Sequence, residues 1–275
     1  MFFKNIEDVI QEKNIICVSP HYDDFLFFLG GYLLEMKARG LLDTKKIINI
    51  SVFSRSNYQE RDVEGNKDQS LKRVQYATGI RIIEDLECLD ALLGPHNYKY
   101  RVMGEEESQV RGKAFNEGDG EMEMAFGSLE TMDEKDHEIC DRMTACIAEL
   151  AQREDTAIVL PLAMKGHIDH FIVQHAGERV MTGDTKATFY FGEDKPYAGL
   201  LNEQEAAVTK AFIEKYDLED RAFVHHPKEQ LELAFKHYPS QVDDVYNVGI
   251  YERNEQLKKI YSQTCDVDRI LKYNK

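Results

Sequence analysis

The chain alternates between short runs that are apolar at almost every position and longer stretches in which apolar residues return every third or fourth place. Ile15-Ile16-Cys17-Val18, the β-branched run Ile47 to Phe53, and Ala157 to Leu162 are too short for helices and have the composition of strands. Strands this uniformly apolar are buried on both faces, as in a mostly parallel sheet covered by helices. The intervening pattern predicts helices over Leu26 to Lys37, about Gln69 to Thr78 with Gly79 as its C-cap, and to about Ala151 from a capping box at Thr131-Met132-Asp133-Glu134. Another helix is expected from His170 to about Met181, with further strands at about Arg81 to Leu86 and Ala187 to Phe191. The last third reads as helices near Glu203–Lys215, Lys228–His237 and Val242–Tyr261. The expected fold class is therefore α/β, three layers with extra C-terminal helices. Gly30 and Gly31 lower helix propensity where they stand, so close packing on the sheet is expected there. Residues 98–128, with Glu105-Glu106-Glu107 and few periodic apolar positions, read as a long loop excursion or a lid. No repeat or linker divides the chain, so residues 1–275 are expected to form one domain.

Composition narrows the partners. The net charge of −16, with no run of Lys and Arg, argues against nucleic acid. The N-terminus becomes charged too early for a secretory signal, and no apolar stretch reaches the roughly 18–20 residues of a membrane helix. The cysteines (Cys17, Cys88, Cys140, Cys146 and Cys265) are scattered and odd in number. That pattern fits reduced packing thiols in a cytoplasmic protein rather than a disulfide frame. The acidic surface reads as serving solubility, and homo-oligomerisation is left open.

Two polar clusters stand out because of where they fall. Pro20-His21-Tyr22-Asp23-Asp24 follows the first apolar strand, and Gly166-His167-Ile168-Asp169-His170 follows the strand at Ala157 to Leu162. Leaving such groups buried and unpaired would cost about 2–7 kcal/mol each, whereas a divalent cation neutralises adjacent carboxylates. In an open parallel sheet, ligands collect beyond the carboxyl ends of the strands. A hydrolytic metal site takes three N or O donors, and His21, Asp24 and His170 supply two imidazoles and a carboxylate. A metal lowers the pKa of a water it binds to about 7, which leaves Asp23 basic enough to take the proton. His167 would polarise a carbonyl or steady an oxyanion, with Asp169 orienting it. Taken singly, Asp24 and Asp169 also suit helix capping, and His-x-x-His also suits a solvated helix start. The paired clusters are what make a metal site.

At these residues the chain resembles the PIG-L/LmbE-like zinc-dependent N-deacetylases. Their Pro-His-x-Asp-Asp motif followed by Gly-Gly is matched by Pro20 to Asp24 with Gly30-Gly31, and their His-x-Asp-His by His167 to His170. Leu89-Asp90-Ala91-Leu92, Glu193-Asp194-Lys195-Pro196-Tyr197-Ala198 and Tyr238-Pro239-Ser240-Gln241 are weaker echoes. The resemblance spans about Ile15 to Gln241 and implies a Rossmann-like fold. It also implies hydrolysis of an N-acetyl group on an amino sugar or sugar conjugate, such as one built on N-acetylglucosamine. It implies Zn2+ on His21, Asp24 and His170, with Asp23 as base and His167 with Asp169 at the oxyanion. Fe2+, cobalt or manganese would accept the same ligands. Many members carry Pro and Glu where this chain has Tyr22 and Phe25, and an acidic residue is missing near Lys72 and Arg73. Arg55, Asp90 and Tyr197 are candidate substrate contacts, whereas His175 and the pair His225-His226 read as packing or turn residues. Two alternatives stay open: cleavage of a different amide on the same metal site, and a non-catalytic metal- or sugar-binding homologue. A nucleotide-binding reading is disfavoured, because no GxGxxG follows the first strand.

Overall fold

The first strand shows how the layers arise. In β1 (Asn14–Ser19), Ile15 and Cys17 enter one apolar core and Ile16 and Val18 the other, each at most 1% exposed. A strand with two covered faces needs helices on both sides. The computed structural model describes residues 1–113 and 127–275, and the backbone of two short strands between them.

After β1 come α1 (Asp24–Ala38), β2 (Lys46–Ser51), α2 (Val63–Asn66), α3 (Leu71–Leu93), β3 (Tyr98–Val102), and the paired β4 (Glu117–Gly118) and β5 (Glu121–Met122). Then follow α4 (Glu134–Leu150), β6 (Thr156–Pro161), α5 (Ile168–Met181), β7 (Thr188–Gly192), α6 (Glu203–Lys215), β8 (Leu218–Val224), α7 (Pro227–His237), α8 (Asp244–Tyr261) and β9 (Val267–Tyr273). Seven strands form one sheet in the order β3-β2-β1-β6-β7-β9-β8. Its pairings are parallel except those of β9, which runs against both neighbours. Among the described residues no helix is long and apolar enough to cross a membrane, and the five cysteines are free.

Three expectations change. The helix expected to stop at Gly79 runs on to Leu93, so Arg81 to Leu86 is helical. Val74, Ala77, Arg81, Asp85, Cys88 and Leu92 are buried at spacings of three or four, whereas Ile83 is 58% exposed. Helical period thus overrides the β-branched look of Ile80-Arg81-Ile82-Ile83. The missing strand is β3, at the sheet edge, where its polar, half-exposed residues make it read as loop. Of the rest of the loop or lid expected at 98–128, residues 103–113 and 127–128 are described, and within 114–126 only the backbone of β4 and β5 is, so the remainder of that expectation lies outside the described residues. Finally, the C-terminal third contains β8 and β9 as well as helices; their charged residues hid them, and several of those charges form ion pairs.

Smaller features settle the rest. The box that caps α4 is Asp133 with Asp136 rather than Thr131 with Glu134. Gly31 is where a close approach demands glycine: a Cβ there would lie 2.1 Å from Asp268 Oδ2 of β9.

Candidate metal centre and its cavity

β1 and β6 lie side by side and parallel, with Asn14 to Cys17 in register with Thr156 to Val159. The strand order runs outward in both directions from this pair, so the crevice beyond their carboxyl ends is a topological switch point. His21 and Asp23 lie in the turn from β1 to α1 and Asp24 opens α1, while His167 caps α5 and Asp169 and His170 lie in its first turn. The two clusters therefore meet.

Three atoms form a small triangle. His21 Nδ1 is 3.5 Å from Asp24 Oδ2, His170 Nε2 is 3.3 Å from the same oxygen, and the two ring nitrogens are 3.2 Å apart. Zinc–ligand bonds of about 2.0–2.1 Å at tetrahedral angles put donors about 3.3 Å from one another. The outer ring nitrogens explain why the triangle suits a cation. His21 Nε2 donates to Asp169 Oδ2 at 3.0 Å, and His170 Nδ1 donates to Asp194 Oδ1. A carboxylate only accepts, so each outer nitrogen carries a proton, and in the neutral ring the inner nitrogen then presents a lone pair. Two such lone pairs and a carboxylate oxygen, crowded together and nearly buried, need a positive charge between them. The donor set therefore fits a divalent metal ion. One ring nitrogen each from His21, His167 and His170 also lie within 4.8 Å of one another. The His167 Nδ1, however, accepts the Asp169 backbone N–H at 3.1 Å, which leaves Nε2 protonated in the neutral ring.

The charges around the triangle are held in place. Burial alone would raise Asp169, but Arg111 (Nη2 to Oδ1, 2.7 Å) and His21 hold its carboxyl well below the usual range. The backbone N–H of Ser108 donates to it as well, at 3.0 Å. Asp169 therefore orients His21, whereas the sequence suggested His167; the N-terminal turn of α5 turns the carboxylate toward the β1 loop. Asp23 has the opposite bias. Burial and the neighbouring Asp24 push its carboxyl up, and it accepts a hydrogen bond from Tyr246 Oη at 3.1 Å. Burial pushes the His167 ring down to about 3, so it is neutral near pH 7.

These groups open into a cavity of about 420 Å³ lined by His21, Asp23, Asp24, His167 and His170 together with residues from the loop after β3, the 193–197 segment and the start of α8. Tyr197 lines it, with Lys165 Nζ 5.7 Å from its ring centre. Arg55 and Asp90 do not. Arg55 is ion-paired to Glu106 at 3.0 Å, and Asp90, in the last turn of α3, accepts the Tyr98 hydroxyl at 2.9 Å. Asp90 follows the strand expected at about Arg81 to Leu86, and the continuous helix carries it elsewhere. Tyr22 and Phe25, where the resemblance departs, are both 0% exposed. His175 bonds Glu178, His225 bonds Gln230 and His226 bonds Glu35, so none of the three joins the cluster.

Several participants went unassigned in the sequence: Asp194 behind His170, Arg111 behind Asp169, and Tyr246 on Asp23. Asp194 had a legible signal, since Glu193-Asp194 directly follows β7, the next strand along from β6. Arg111 and Tyr246 had none, because only the tertiary fold brings them in.

No protein-family model matches the chain, and no curated protein matches it in sequence. Solved structures do match in fold. The zinc-inhibited form of teicoplanin deacetylase Orf2 superposes with a TM-score of 0.66 at 18% identity, over 94% of this chain and 97% of that one. The A40926 pseudoaglycone deacetylase Dbv21 gives 0.58 at 17% identity, over 95% and 97%. N,N'-diacetylchitobiose deacetylase from Pyrococcus horikoshii, in complex with an inhibitor, gives 0.54 at 13% identity, over 96% and 86%. The chain therefore has the α/β fold of these deacetylases, the fold that its motifs led one to expect.

Proposed function

We propose that this chain is a metal-dependent hydrolase that removes an N-acetyl group from an amino sugar or sugar conjugate, with Zn2+ as its ion. The observation that carries the reading is the triangle of lone pairs on His21, Asp24 and His170, with Asp23 beside it and a cavity in front. The likeness in fold to deacetylases of teicoplanin, of A40926 pseudoaglycone and of diacetylchitobiose supports it.

His21 Nδ1, Asp24 Oδ2 and His170 Nε2 would hold the ion. When bound, it acidifies water and polarises the acetyl carbonyl. Asp23, beside the triangle and lining the cavity, has an environment suited to receive a proton: buried, raised in pKa, and hydrogen-bonded by the Tyr246 hydroxyl. His167, neutral and protonated on Nε2, donates a hydrogen bond to the carbonyl oxygen as negative charge gathers there. The proton on Asp23 passes to the departing amine nitrogen as the C–N bond breaks, so that acetic acid, which ionises to acetate in solution, and a free amine leave with no net change at the residues. Arg111 and Asp194 act through Asp169 and His170, keeping both imidazoles turned inward.

Acetate release from a panel of N-acetylated amino sugars by metal-loaded protein tests this. Asp23→Asn is expected to cut kcat by about 10²–10⁴-fold while metal content is unchanged. Turnover of acylated amino acids instead of sugars would favour a different amide, and metal binding without turnover of either would favour a binding protein.

A further inference from the structure

Asp23 is held by a residue from the far end of the chain. It stands at the N-cap position of α1, yet its side chain makes no capping bond to that helix, although aspartate is among the best capping residues. Among the described residues, Tyr246 is the one other side chain that hydrogen-bonds its carboxylate, with Oη 3.1 Å from Oδ2. Oδ1 accepts from no other described residue, and Asp23 lines the cavity.

The helix that carries this hydroxyl is closely fitted. Asp243 caps α8 by accepting the Val245 backbone N–H at 3.0 Å, which puts Tyr246 in the first turn. The Tyr246 ring packs on Phe27 of α1, with centroids 4.9 Å apart. One turn further on, Gly249 presses against the segment after β7, where a Cβ would lie 2.3 Å from the Pro196 carbonyl oxygen. The terminal torsion of an aspartate is broad, so a bond at Oδ2 selects the rotation the carboxylate adopts. The hydroxyl also draws charge from Oδ2 and leaves Oδ1 the better acceptor.

We propose that Tyr246 is a positioning residue for the reaction: it engages Oδ2 of Asp23 and so presents Oδ1 to the cavity as the atom that takes up the proton. That proton, drawn from water, is the one later passed to the departing amine nitrogen, and the tyrosine keeps its own. The proposal rests on the deacetylase reading for the chemistry, but not for the orientation of Asp23.

A double-mutant cycle of Tyr246→Phe and Asp23→Asn on metal-loaded protein tests this. Tyr246→Phe keeps the ring against Phe27 and removes only the hydroxyl. With an N-acetylated amino sugar it should lower kcat at least about tenfold, the size of a hydrogen bond to a charged group, with KM and metal content within about twofold of wild type. In the Asp23→Asn background the same change should alter kcat less than about twofold. The second readout is calorimetry with acetohydroxamic acid, which gives up a proton as it binds a metal ion. Its affinity should fall about tenfold in either single variant and no further in the double. A kcat left at the wild-type value by Tyr246→Phe, or a loss repeated in full without Asp23, would overturn the positioning role. If wild type releases acetate from no N-acetylated sugar, the deacetylase reading fails and the calorimetric cycle decides alone. Non-additive losses then uphold the role; additive losses, no loss in Tyr246→Phe, or no binding to wild type overturn it.

Discussion

At the scale of single residues, the site depends on which atom of each histidine is occupied. The residue types His21, Asp23, Asp24, His167 and His170 are legible in the sequence because they interrupt apolar strands where packing has no use for them. Their orientation is not legible, since it is set by carboxylates from other segments: Asp169 on His21 and Asp194 on His170. A buried carboxyl outside the site gives a pH prediction of its own. Asp85 accepts the hydroxyls of Tyr100 and Tyr238, each at 2.7 Å, yet burial pushes it up to about 8. Between the ordinary carboxylate range and about pH 8, the folded chain holds a proton that the unfolded chain has lost. Stability from this group is thus fully present at low pH and falls as pH rises through that window, by up to about 1.4 kcal/mol per unit. Asp85→Asn should flatten the slope in denaturant melts between pH 5 and 8; an unchanged slope would show that Asp85 titrates normally.

At the scale of elements, interior strands announce themselves and edge strands do not. β1, β2, β6 and β7 are read from their apolar runs, while β3, β8 and β9 mix in charge because edges and ion pairs tolerate it. The segment after β7 shows what those charges do. Glu193 is held by Arg253 of α8 (Nε, 2.8 Å) and Arg269 of β9 (Nε, 2.6 Å), Asp194 by His170 and the Met164 N–H, and Lys195 by Asp268 of β9. The C-terminal elements thus fix the segment that orients a histidine of the metal centre. Asp194→Asn keeps an acceptor for Met164 but removes the charge behind His170, and is expected to weaken metal affinity about 10–100-fold. Competition against a chelator measures it, and wild-type affinity in that variant would separate the segment from the site.

At the scale of the molecule, the candidate metal centre joins two halves of the sheet, with one cluster following β1 and the other following β6. Metal binding should therefore stabilise the whole fold rather than a loop. At a metal concentration about 100 times Kd the gain is about 2.7 kcal/mol, so chelation is expected to lower Tm by at least about 5 °C. The architecture is legible as α/β because periodicity alone separates its strands from most of its helices; the long helix α3 reads as two elements because Ile80, Ile82 and Ile83, half-buried or exposed, have the look of a strand. The measurement that bears most directly on the account is the metal content of protein purified without added metal, for wild type, His170→Ala and Asp23→Asn in parallel. The account predicts about one equivalent of a divalent ion in wild type and in Asp23→Asn, and its loss in His170→Ala. A wild-type protein that holds no metal and takes none up on reconstitution would contradict it.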